Sequence, residues 1–310
     1  MRRLARSVAV LAFASACVAN AAAAAIVAVD DAGHTLTLDR PATRIVTLAP
    51  SLTELVFAAG GGNAIVATIA LSDYPAAARA LPRVGDAARL DVERIVAARP
   101  DLVIVWRHGN TMRELEQLEG AGLRLFRLEP QRLDEVALAI ERLGVLLGHE
   151  ADARLGANAL RDRLASLRQL HAGAPPVRVF YQVWSSPLMT INREQMVNDV
   201  IELCGGRNVF AALAPLVPLV STEAVLAADP EAIFTADERG ATDALRRDIR
   251  GPTFALWRRH PSLAAVKGNW LYVLNGDAIS RQGPRIVDGA TAMCRALDEV
   301  RRERAAVSTR

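Results

Sequence analysis

Apolar runs and helix-period stretches take turns along the 310-residue chain. Residues 44–48, RIVTL, predict a buried strand, and the stretch from Ser51 predicts a helix that stops at Gly60–Gly62. Ser51 and Glu54 have the S-x-x-E spacing of a capping box, in which the serine hydroxyl accepts a first-turn N–H and the glutamate reaches back. Glycine ends a helix in a left-handed conformation without steric penalty. The joint at Ala49-Pro50-Ser51 therefore reads as strand, tight loop, helix. In open parallel sheets such loops lie at the carboxyl ends of strands, where ligands bind, although many capped joints touch nothing.

The pattern then repeats. Residues 92–105, VERIVAARPDLVIV, match residues 222–235, TEAVLAADPEAIFT. Upstream, residues 55–67 resemble residues 199–211, each a helix, glycines, Asn and a strand. Each half opens on a strand, at residues 44 and 177. Self-similarity of this kind implies two lobes of similar build, and alternating strands and helices imply parallel sheets. Residues 133–173 between them are helical by period, with Leu155, Leu160, Leu164, Leu167 and Leu170 recurring and Gly148 separating two helices. A helix of about 20 residues spans ~30 Å, which suits a stiff spacer. Residues 27–41 alternate around Asp31-Ala32-Gly33 and predict a hairpin. The expected organisation is a signal peptide over residues 1–25, an N-terminal α/β lobe over 26–147, a bridging helix over 148–174, a C-terminal α/β lobe over 175–303 and a solvated tail over 304–310. Two lobes on one helix leave a cleft, the usual place for a small molecule.

Composition sharpens this reading at the N-terminus. Arg2, Arg3 and Arg6 precede an apolar run and small residues, with Ala19-Asn20-Ala21 as a cleavage site, the pattern of a secretory signal. Lipid attachment at Cys17 is the alternative, without the leucine such a site prefers. The chain carries 37 basic and 34 acidic residues, and residues 1–21 hold three of the arginines and no acid. The exported chain is therefore close to neutral, with no basic stripe for nucleic acid. Cys204 and Cys294 remain after cleavage, and export admits a disulfide between them, the alternative being two buried thiols.

Catalytic signatures are missing. The chain has no G-x-S-x-G elbow, and Gly60–Gly62 lead into no Gly-Lys-Ser/Thr phosphate loop. His34, His108, His149, His171 and His260 are scattered without metal-ligand spacing, and His108 alone follows a strand end. Loops after the strands instead bring Tyr74, Trp106 and Trp184 as flat apolar faces, with Gln182, Asn192, Ser280 and Arg281 as hydrogen-bonding groups. That mixture suits a large, flat ligand bearing amides or carboxylates; the alternative for both tryptophans is strand-end packing. Glu93 and Glu223 are the paired acids of the repeat, each two residues after a cap, Asp91 or Ser221. An acid in a first turn complements the helix dipole, and a twinned pair can also dock on two cations of a two-fold symmetric partner.

Taken in order, RIVTLAPSLTELVFAAG, SDYP, VERIVAARPDLVIVWRHGN, VNDVIELCGGRNVFA, VSTEAVLAADPEAI and SRQGPRIVDGATAMCRALD resemble the periplasmic cobalamin-binding proteins of ABC vitamin importers, over residues 27–300. These belong to a helix-linked class that also takes siderophores, haem and metals. The resemblance implies two Rossmann-like α/β lobes joined by one long helix, with a corrinoid held between them as transported ligand and no cofactor. It implies that Glu93 and Glu223 meet arginines of the permease dimer and that Cys204 and Cys294 form a disulfide. Its ligand contacts carry over to Leu71, the residue before Ser72, and to Ile279, Ser280, Arg281, Gln282 and Gly283; it also makes a ligand role for the Ser51 joint the expected one. Leu71 stands where well-known cobalamin binders have tyrosine, and Ala87 where some members have tryptophan; Trp184 is expected to supply an aromatic face instead. The expected protein is a periplasmic monomer that performs no chemistry. Haem or an iron siderophore on the same fold is the first alternative, an exported α/β enzyme or a lipid-anchored module the others.

Overall fold

The computed structural model describes residues 25–237, 245–248 and 250–308. The expected signal segment, with its cleavage site and Cys17, thus lies outside the described residues apart from Ala25. The N-terminal hairpin forms as expected: β1 (Ile26–Val29) pairs antiparallel with β2 (Thr35–Leu38). Asp30 shapes its turn by accepting the N–H groups of Ala32 and His34 at 2.9 and 2.8 Å.

Four parallel strands build the first lobe: β3 (Ile45–Thr47), β4 (Ile65–Thr68), β5 (Leu102–Trp106) and β6 (Leu125–Leu128), in the order β4-β3-β5-β6. Helices α1 (Pro50–Ala58), α2 (Val92–Ala97) and α3 (Met112–Gly120) connect them. Strands covered on both faces read as continuous apolar runs, which is why Leu102–Val105 show no alternation.

Next come α4 (Leu133–Leu147) and α5 (Glu150–His171), separated at Gly148. Gly148 has φ 69°, and a Cβ there would lie 2.9 Å from Pro41, so both conformation and space require glycine. The second lobe contains β7 (Val177–Gln182), a small hairpin of β8 (Trp184–Ser185) and β9 (Leu188–Met189), then α6 (Met196–Leu203), β10 (Gly206–Asn208) and α7 (Thr222–Ala228). It continues through β11 (Ala232–Asp237), β12 (Leu245–Arg247), α8 (Ala255–Arg258), α9 (Ala264–Lys267), β13 (Leu271–Asn275), α10 (Gly276–Ile279) and α11 (Ile286–Ser308). Its sheet runs β10-β7-β11-β13-β12, parallel except for the edge strand β12. The first four strands repeat the order of the first lobe, so the internal duplication is one of topology as well as sequence.

One apolar cluster runs through both lobes and the helices between them, from Ile45 and Phe126 through Ile140 and Leu160 to Phe234 and Met293. Smaller clusters back the opposite faces: Val46, Ile95 and Val103 in the first lobe, Phe180, Phe254 and Trp257 in the second. The helix α5 contributes Ala153, Ala157, Leu160 and Leu164 to the shared core. Leu155 and Leu170 of the expected leucine stripe are instead 70% and 75% exposed. Alanines complete the stripe: positions 153, 157, 160 and 164 follow the 3.6 period, whereas 155 and 170 fall off that face.

The expected tail is also different. Helix α11 continues to Ser308, because its basic residues have partners. Arg301 donates to the carbonyls of Pro175 and Cys204, and Arg304 pairs with Glu231 at 2.7 Å. Nearby, Arg247 of β12 holds Glu299 and Glu303, fixing α11 to the sheet edge.

Burial pushes the Tyr181 phenol from its usual 10 up to about 12, against a smaller opposing pull from the Ser280 hydroxyl. The unfolded chain therefore releases this proton first. The stability contributed is complete below pH 10 and declines as pH rises from 10 towards about 12. We expect Tyr181→Phe to remove about 1.4 kcal/mol per pH unit from the decline in that window. Urea midpoints measured across it test this, and identical slopes in both proteins would refute it.

Candidate ligand cleft between the lobes

Each sheet reverses its winding at one place, between β3 and β5 in the first lobe and between β7 and β11 in the second. Ligands of open parallel sheets bind outside the strand carboxyl ends at such a switch point. The first is bounded by Leu48–Ser51 and Arg107–Asn110, the second by Val183–Ser185 and Asp237. The two carboxyl edges face one another. Glu54, in α1 just after β3, bonds to Arg281 and Arg285, which lie beyond the end of β13.

That contact overturns the expected capping box. Helix α1 starts at Pro50, with Ala49 as its N-cap and no side-chain cap. Proline is preorganised for the first helical position and has no N–H to satisfy, so the helix begins one residue before Ser51. Ser51 and Glu54 are then helical and buried. Glu54 accepts from Arg281 Nη1 at 3.2 Å and from Arg285 Nε and Nη2 at 3.0 and 2.6 Å. Arg281 also pairs with Asp277 at 2.6 Å, and the Arg285 guanidinium lies 4.4 Å from the centre of the Tyr74 ring. Gly283 packs against the Ser51 backbone. Ser51, Tyr74, Arg281 and Gly283 are thus brought together, but as a seam between the lobes.

Around the seam, Leu71 is 72% exposed with φ 63°, and Tyr74 is 45% exposed. Ser280 is exposed and Gln282 half-buried, whereas Ile279 is 1% exposed and belongs to the core. Buried hydroxyls of Thr47, Thr53, Thr68 and Ser72 hydrogen-bond in a chain at 2.7–2.9 Å that fixes the ends of β3 and β4 against α1. Nothing in their spacing announced it.

At the first switch point, residues 106–110 close on themselves. The Trp106 N–H donates to Asn110 Oδ1 at 2.8 Å, and the Asn110 N–H donates to the Trp106 carbonyl at 3.1 Å. Gly109 is necessary because a Cβ there would overlap the Trp106 ring. The Trp106 indole N–H donates to Glu129 Oε1 at 3.0 Å, while His108 Nδ1 meets Glu129 Oε2. The sequence had offered Trp106 as a flat face; Glu129, its partner, was unmarked.

In the second lobe, Gln182 and Trp184 line a pocket of about 580 Å³ with Thr235, Asp237 and Arg246. The Gln182 acceptor oxygen is occupied by the Trp257 indole N–H at 2.7 Å. Trp184 is 48% exposed, and its N–H donates to the Ser186 carbonyl at 2.8 Å. Asn192 does not reach the cleft as a free group: its amide donates to the carbonyls of Leu213 and Ala214, both at 3.2 Å.

Outside the cleft, Cys204 and Cys294 are bonded at 2.02 Å, which settles the choice against free thiols. Glu93 and Glu223 are exposed in the first turns of α2 and α7. The expected caps are present, Asp91 accepting the Arg94 N–H and Ser221 the Ala224 N–H. The Glu223 backbone N–H and the Ser221 hydroxyl hold the Glu223 carboxyl below its usual range. Helices α2 and α7 precede the corresponding strands β5 and β11, so the two acids occupy equivalent points of the duplicated lobes. Among the described residues, no group of three or more His, Cys, Asp or Glu is arranged to hold a metal ion.

Known proteins with this architecture agree with the fold. The chain is 35% identical over 256 residues to the vitamin B12-binding protein of Photorhabdus laumondii, covering 83% of this chain and 88% of the relative. The crystal structure of the periplasmic vitamin B12-binding protein BtuF of Vibrio cholerae superposes with a TM-score of 0.73 at 35% identity, over 84% of this chain and 98% of that one. The periplasmic haem-binding protein RhuT of Roseiflexus has a TM-score of 0.71 at 24% identity, covering 83% and 98%, a likeness of fold alone. Residues 45–273 match the periplasmic binding protein family, and the chain belongs to it.

Proposed function

We propose that this protein is a periplasmic receptor that captures cobalamin between its lobes and delivers it to an ABC importer, without chemistry on its cargo. The observation that carries this reading is the 35% identity to vitamin B12-binding proteins over more than four-fifths of the chain. Trp106 and Trp184, one at each switch point, supply apolar surface for a flat macrocycle, and Leu71, Tyr74 and Ser280 border the seam between them. Haem is the competing cargo, represented among proteins of like fold. Calorimetric titration of the exported chain is the test. Cyanocobalamin is expected to bind one-to-one with a Kd of about 1 μM or tighter, equivalent to about −8 kcal/mol, and ferric haem more weakly. Tighter haem binding would transfer the receptor to that cargo.

Delivery is assigned to Glu93 and Glu223. The receptor acts as a monomer, its two lobes presenting twinned carboxylates to a two-fold symmetric permease dimer. Reversing both charges, Glu93→Arg with Glu223→Arg, is expected to reduce cobalamin uptake by cells at least about tenfold, as truncating interfacial charge pairs removes about 2–5 kcal/mol. Cobalamin affinity in solution should stay within about twofold, since neither acid borders the cleft. Undiminished uptake would remove both residues from the docking surface.

A further inference from the structure

We infer that His108 is an axial ligand for cargo: its Nε2 coordinates the cobalt of a corrinoid whose axial position holds an exchangeable water. The inference rests on the cobalamin reading above and deepens it. His108 follows β5 at the first switch point, in the loop closed by Trp106 and Asn110. Its side chain is 60% exposed, whereas that of Glu129 is 8% exposed. Glu129 is fixed from two sides: Oε1 accepts the Trp106 indole N–H, a group that can only donate, and Oε2 faces His108 Nδ1. The Glu129 backbone N–H is in turn held by Asp31. A buried carboxylate that accepts at both oxygens assigns the imidazole proton to Nδ1. The Nε2 lone pair is then directed away from Glu129, and Nε2 has no hydrogen-bond partner among the described residues.

A histidine that donates one ring N–H to a carboxylate, with the other nitrogen open, is the arrangement that orients metal-ligating imidazoles and raises their basicity. Resident metal binding is not implied, because one histidine supplies a single ligand and the macrocycle supplies the rest. The exchange balances simply. The cobalt–water bond breaks, the Nε2 lone pair forms the new bond and water leaves. The cobalt oxidation state does not change, and the Nδ1 proton stays in the hydrogen bond to Glu129. Imidazole suits transition-metal centres of this kind.

Two corrinoids separate this inference from the reading it rests on. Aquacobalamin has the exchangeable water; in cyanocobalamin the tightly held cyanide blocks the position. Absorbance titrations of the exported chain are expected to shift the main corrinoid band to longer wavelength with aquacobalamin and to leave it in place with cyanocobalamin. Aquacobalamin should also bind about tenfold more tightly. In His108→Gln the shift disappears and the affinity ratio falls to about one; circular dichroism verifies that this exposed substitution leaves the fold intact. Bound aquacobalamin that keeps its free spectrum would overturn the inference while leaving the receptor reading standing, and so would a shift that survives in His108→Gln. Binding of neither corrinoid would overturn both.

Discussion

Replacing Glu54 by alanine is expected to lower the unfolding free energy by about 3–5 kcal/mol, the usual result of removing one partner of a buried charge cluster. The side chain of Glu54 is 1% exposed, and those of Arg281 and Arg285 are 16% and 17% exposed. Three guanidinium hydrogen bonds converge on one carboxylate. Its removal leaves two largely desolvated cations of the second lobe side by side at the seam, without their anion from the first. Asp277 and Asp73 neutralise Arg281 in part, at 2.6 and 3.7 Å, whereas Asp277 stands 3.9 Å from Arg285, which is why Arg285 dominates the loss. Arg281→Ala alone should therefore have the smaller effect, because Arg285 still satisfies both Glu54 oxygens. Urea unfolding of the two variants measures the difference. A loss below about 1 kcal/mol for Glu54→Ala would mean that water enters the seam and replaces the carboxylate.

Removing the disulfide, as Cys204→Ala with Cys294→Ala, is expected to cost about 2–5 kcal/mol. The crosslink closes a loop spanning 90 positions, so it removes much of the freedom of the unfolded second lobe. It joins the end of α6 to α11, and both cysteines are essentially buried among apolar side chains. Alanine leaves a small void there in addition. The denaturant midpoint of the double variant, compared with that of the oxidised parent, provides the measurement. Equal midpoints would show that the packing of α11 against α6 and the sheet suffices without the bond.

Much of the fold was legible because it rests on local patterns. The duplicated E-x-x-V/L-A-A-x-P motif marks a helix followed by a buried strand, and α2–β5 and α7–β11 follow it. Gly148 separates two helices through its own left-handed backbone. The Asp91 and Ser221 caps act on N–H groups three residues away. Such features depend on a few consecutive residues, so sequence spacing fixes them.

The cleft was less legible, and Glu54 shows why. Its spacing from Ser51 satisfied a local rule, yet its partners stand 227 and 231 positions along the chain. Desolvation at the lobe contact makes two guanidinium partners far more favourable for the Glu54 carboxylate than a reach back to one neutral backbone N–H. The loop of residues 279–283 was marked out by resemblance, but that Ile279 enters the core and that Arg285 stacks on Tyr74 from the other lobe is decided by packing. Glu129 gains its meaning only where β6 ends beside β5, because the parallel pairing of those strands brings it to Trp106 and His108. By itself the sequence determined two similar α/β lobes, the helix between them and the residues presented at strand ends, since helix and strand periodicity encode local geometry. Tertiary structure alone decided which of those residues seal the lobes together and which stay open to a ligand, since burial and charge pairing are set by segments that meet only when the chain is folded.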